Sequence, residues 1–119
     1  KIIKVHVRPL AEILRENNVH HIDIFSLDVE GYEEQVLSTM DWGVTVNVWI
    51  IEMHNPNETI NSLLRNNGYK YLKRVHWNDV WVRDAWYRLD TSAMRMLITI
   101  ACIIIIMIAF LFVYRLSAT

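Results

Sequence analysis

The chain is poor in glycine, proline and cysteine, with three, two and one in 119 residues. Its single cysteine, Cys102, cannot close an internal disulfide, and its place in an apolar run gives no reading of the redox compartment. Gly31, Gly43 and Gly68 stand far apart, and no G-x-x-x-x-G-K-[ST] pattern occurs, so a nucleotide hydrolase would lack its phosphate loop. There is no low-complexity linker and no internal repeat. Net charge is −1, and no basic stripe with interleaved aromatics is present, so no nucleic-acid partner is expected. The five Trp and five Tyr are scattered through apolar segments, as core residues are. The length allows one small domain. The text starts at Lys1, mid-pattern, and is expected to be the carboxyl-terminal piece of a longer protein.

Composition changes near residue 91. Residues 1–90 mix charged and apolar residues as a folded domain does, whereas residues 91–119 are expected to form a juxtamembrane stretch and an anchor. Residues 96–114, MLITIACIIIIMIAFLFVY, carry no charge. At about 1.5 Å per residue such a helix is nearly 30 Å long, enough to cross a bilayer core. Arg95 and Arg115 bracket it, and Tyr114 sits at an interfacial position. A buried core helix is the competing reading, but a domain this small cannot surround one. The position excludes a signal peptide. Arg83, Arg88 and Arg95 outnumber Arg115, which favours a single-pass membrane protein with its domain on the cytosolic side. Asn57-Glu58-Thr59 matches a glycosylation acceptor, and a glycan there would place the domain on the luminal side.

The first ninety residues alternate between two periodicities. Pro9 opens a short helix, LAEILRE, with Leu10, Ile13 and Leu14 on one face, and Asn17 and Asn18 end it. Residues 22–29 form a short apolar run rich in branched side chains, read as a strand covered on both faces. Tyr32, Val36, Leu37 and Met40 have helical spacing that ends near Trp42 and Gly43. Residues 46–53 are a second buried strand. Asn57 or Thr59 caps a helix with Ile60, Leu63 and Leu64 inward and Gly68 as its stop. Residues 69–75 and 80–83, joined through HWND, read as an antiparallel hairpin. The order is that of an α/β sheet: parallel strands with crossover helices, finished by a hairpin.

Ligands of an open parallel sheet bind beyond the carboxyl ends of its strands. Asp28 and Glu30 follow one strand, and Glu52 and His54 end the next. Spacing by two sends each pair to one side of its strand, and neighbouring strands lie about 5 Å apart, so the four groups converge if the strands are adjacent. Charges held together cost several kcal/mol per ion when buried, which marks the rim as a candidate site. The plainer reading is that Asp28 or Glu30 caps the following helix and that His54 is a solvated loop residue. A divalent cation on Asp28, Glu30, Glu52 and His54 suits hard oxygen chemistry, although nothing in the spacing demands a metal.

The segment FSLDVEGYEEQVL, with Asp28, Val29, Glu30, Gly31, Glu33 and the pair Val36 and Leu37, resembles the central signature of FkbM-type methyltransferases. VRPLAEIL before it, IIEMHNP after it and NDVWVR at residues 78–83 resemble the flanking segments of that family in the same order. The resemblance implies the carboxyl-terminal half of a Rossmann-like, class I methyltransferase sheet, with S-adenosylmethionine as methyl donor and an oxygen as the usual acceptor. It implies that Asp28, Glu30, Glu52 and His54 position an acceptor hydroxyl, with Asp28 or His54 taking its proton. It also marks a gap. The donor pocket of that fold rests on a glycine-rich turn and an acidic residue in the preceding half, so this piece alone is expected not to bind the donor. A non-catalytic, membrane-tethered relative acting in trafficking or protein interaction is the alternative. The sequence leaves the methyl acceptor open.

Overall fold

The computed structural model describes residue 4, residues 6–87, and residues 96, 98–100, 103 and 104. The chain divides into two compact units, Lys1–Asp84 and Ala85–Thr119. The first holds α1 (Leu10–Glu16), β1 (His21–Leu27), α2 (Glu33–Ser38), β2 (Thr45–Glu52), α3 (Glu58–Asn66), β3 (Tyr69–Val75) and β4 (Asn78–Arg83), after which comes the short α4 (Asp84–Tyr87).

Each boundary has a local cause. Pro9, at φ −58°, sets the entry to α1. Asn17 closes that helix by donating from its side chain to the Ile13 carbonyl at 2.8 Å, and Asn18 turns the chain out at a positive φ of 53°. Helix α2 is shorter than its apolar spacing predicts. Thr39 Oγ1 donates to the Val36 carbonyl at 2.8 Å and accepts from the Leu10 amide at 3.0 Å, which ends the helix at Ser38 and ties it to α1. Met40 then packs into the core from a turn. Helix α3 is capped by Asn57, whose side-chain oxygen accepts from the Thr59 and Ile60 amides. Gly68, at φ 83°, provides the left-handed step after it.

The four strands make one mixed sheet in the order β1-β2-β4-β3. Strands β1 and β2 are parallel, with Leu27 opposite Ile51, while β4 runs antiparallel to both β2 and β3. Alternation along the strands puts Trp49, Ile51 and Trp81 on one face. There they join Leu14 of α1, Leu37 of α2, and Ile60 and Leu64 of α3 in a single core. Trp49 gathers a ring cluster, 4.7 Å from Phe25 and 6.1 Å from Trp42 between centroids, as expected of aromatics that serve packing. The alternate residues Val48, Ile50, Val80 and Val82 are fully buried as well. Each such side chain removed from water contributes about 1.5–3 kcal/mol.

Two expectations are corrected here. Strand β1 is not covered on both faces: it lies at the sheet edge, and only Leu27 along it is buried. An apolar run reports a tendency to be buried, and here the described residues supply β1 with a neighbour on one side only. The hairpin does not simply extend the parallel sheet either, since β4 inserts between β2 and β3 and pairs with both. Most of the expected membrane span, residues 96–114, lies outside the described residues. Among the described residues no helix is long and apolar enough to cross a membrane.

Candidate functional site

The parallel register fixes the rim. With Leu27 opposite Ile51, residue 28 leaves β1 beside Glu52 at the end of β2. On the other flank Glu52 pairs with Asn78, which brings the β3–β4 turn and Trp77 to the same end of the sheet. The end of β2 is braced there. The Met53 amide donates to the Trp77 carbonyl at 2.7 Å. Arg74 donates to the Met53 carbonyl at 3.1 Å and to buried Asp79 at 2.7 Å.

All four residues singled out from the sequence meet on this rim. Ligand atoms of Glu30, Glu52 and His54 lie within 4.8 Å of one another, as do those of Asp28, Glu33 and Glu52. Glu52 is common to both groups and is the more sheltered, its side chain 18% exposed against 57% for His54. His54 Nε2 stands 3.7 Å from a Glu52 oxygen, and its ring lies 5.5 Å from that of Trp77. These oxygens and the imidazole are of the type that holds a hard divalent cation, but exposed acidic groups commonly cluster without one.

The crowding has an electrostatic result. Burial pushes the Glu52 carboxyl above its ordinary range. A hydrogen bond to Asp28 and the negative charge of Asp28 act in the same direction, the charge of Glu30 adds a smaller push, and His54 opposes them. In its protonated form Glu52 donates to Asp28, and in its ionised form it is a stronger base than an ordinary glutamate.

Neither Asp28 nor Glu30 caps α2. The residue preceding that helix is Tyr32, which makes no side-chain cap bond. The amide acceptor is Glu33, buried at 7% exposure, whose Oε1 accepts from the Val29 amide at 3.1 Å and the Gly31 amide at 3.2 Å. Glu30 sits at φ 53°, a left-handed conformation that costs a non-glycine residue about 1–2 kcal/mol. Gly31 follows at φ 93°, with nothing within 4 Å of where a Cβ would be, so backbone conformation and not crowding requires glycine. Glu33 and Trp77 are the rim residues that sequence reasoning did not assign to the site. The acid in the first turn of a helix was the available signal for the former, and an aromatic in a polar turn for the latter. Along α2 an apolar groove of about 760 Å³ runs from Tyr32 to Pro9 and Val7. Its one charged lining residue is Arg8, and the carboxylates of the rim are not part of it.

Comparison with known proteins gives one family: the methyltransferase FkbM domain matches residues 1–71. No curated protein and no solved structure matches the chain.

Proposed function

Since the chain belongs to the FkbM methyltransferase family, we propose that its acidic rim is the acceptor side of an O-methyl transfer site. The family is generally S-adenosylmethionine-dependent, and that donor supplies the electrophilic methyl group. The described residues do not fit the donor itself. Gly31, Gly43 and Gly68 lie in three separate turns and form no glycine-rich cradle. This chain's own part is therefore to hold and deprotonate the acceptor. The observation that carries the reading is the meeting of Asp28 and Glu52 at the ends of adjacent parallel strands, where burial and Asp28 push the Glu52 carboxyl above its ordinary range. A base with an elevated pKa is better matched to taking a hydroxyl proton near neutrality. Glu52 takes that proton, Asp28 and Glu30 accept hydrogen bonds from the acceptor, and His54 partly offsets the accumulated charge. A rim of this sign favours neutral hydroxyl acceptors over anionic ones.

The test is a chimera in which residues 1–84 replace the matching segment of an active FkbM methyltransferase, which then supplies the donor cradle. Methyl transfer is expected to persist. Glu52→Gln and Asp28→Asn are each expected to lower kcat by about 10²–10⁴-fold with donor affinity unchanged. A chimera that binds donor and acceptor yet shows full activity in both variants would sink this assignment. One that binds both and transfers nothing would return the chain to a non-catalytic role in trafficking or protein interaction.

The uncharged run at residues 96–114 supports a single carboxyl-terminal membrane anchor, and its arginine flanks support a cytosolic domain. Extraction with alkaline carbonate should leave the chain in the membrane pellet, and release into the supernatant would overturn the anchor.

A further inference from the structure

We propose that Glu33 is the positioning residue of this site, a clamp that holds the turn at residues 28–31 so that Asp28 and Glu30 face Glu52. The inference deepens the proposed function by naming what arranges its carboxylates, and it rests on that reading only for the use to which the rim is put.

The turn needs an external hold. It takes two successive residues through positive φ, Glu30 and Gly31, and the first of these is not a glycine. The Val29 and Gly31 amides point at the same Glu33 oxygen, and one carboxylate thereby spans the turn on both sides of Glu30. Among the described residues the backbone bond across the turn is a long one, from the Tyr32 amide to the Val29 carbonyl at 3.4 Å. Glu33 is also more sheltered than Asp28, Glu30 and Glu52, and a charged group held out of water is retained only where hydrogen bonds offset the cost. Its own ligand atom lies within 4.8 Å of those of Asp28 and Glu52, so the clamp and the groups it positions form one contiguous cluster.

A merely structural role, in which Glu33 acts as a favourable acid in the first turn of α2, makes a different prediction. Its loss would lower stability and leave the turn as ordered as before. The deciding measurement is made on the whole chain by nuclear magnetic resonance, without donor or acceptor. Backbone order parameters at Asp28 and Glu30 are read together with hydrogen exchange of the Val29 and Gly31 amides. In the wild type the order parameters should be near those of rigid backbone, about 0.85. Glu33→Ala should lower them below about 0.6 and speed exchange of the two amides at least tenfold, while amides of β2 keep their protection. Glu33→Gln keeps an acceptor oxygen at the same reach and should restore both readouts. Glu33→Asp, one methylene shorter, should free one of the two amides, and it decides the matter if Glu33→Ala fails to fold. Unchanged order parameters and exchange in Glu33→Asp or Glu33→Ala, with or without a lower melting temperature, would overturn the clamp. None of these readouts involves methyl transfer, so an inactive chimera would refute the proposed function and leave the clamp standing.

Discussion

Glu52 is one carboxyl among four on the rim, and its surroundings separate it from the rest. Because its folded pKa is raised, the folded state binds this proton more tightly than the unfolded chain does. The resulting stability is present below the unfolded value, about 4.3 for glutamate, and is lost as pH climbs through the raised folded value. Glu52→Gln removes that dependence. Melting temperatures measured across this window should fall with rising pH in the wild type more than in the variant, and parallel curves would show that Glu52 is not perturbed. All four expected rim residues follow from elementary strand logic: Asp28 and Glu30 after one strand, and Glu52 and His54 spaced by two at the end of the next. Glu33 was not legible as part of the site. Its task is to satisfy two amides of a turn whose left-handed step at Glu30 is not encoded by residue type, and a glutamate at the start of a helix ordinarily faces water.

At the scale of elements, the cap on α3 makes the sharpest prediction. Asn57 accepts from two amides of α3 and donates to Glu34 of α2 at 2.9 Å, so it both starts one helix and ties it to another. Asn57→Ala should lower unfolding free energy by about 1–2 kcal/mol in urea titration. An effect within about 0.5 kcal/mol, the range of an ordinary surface change, would refute the double role. Leu64 is fully buried on the same helix, and Leu64→Ala should cost about 2–5 kcal/mol by the same measurement. Elements fixed by local chemistry were readable: α1 after Pro9, β3 from Gly68 to a turn that the structure narrows from HWND to His76 and Trp77, and α3 from its Asn57 cap to its Gly68 stop. Relations between elements were not. The run around β1 has the period and branched residues of a buried strand, and nothing within it states how many neighbours it has. Likewise a hairpin signal specifies that β3 and β4 pair, but not which of them adjoins β2.

For the molecule as a whole, the proposed division between acceptor rim and donor cradle predicts how the chain behaves by itself, since the described residues form no glycine-rich cradle. S-adenosylmethionine titrated calorimetrically into the chain should give no binding heat at micromolar concentrations, and clear micromolar affinity would show that the described residues form a donor pocket after all. Strand order carries a further consequence, for assembly during synthesis. The last of the described strands, β4, occupies an interior place in the sheet, so the edge of β2 that it pairs with stays open while α3 and β3 emerge from the ribosome. A nascent chain halted after Val75 would expose the hydrogen-bonding margins of both β2 and β3 with nothing between them. The final few residues of the unit thus act as its keystone, and a chaperone would find its natural target in the chain just before they arrive.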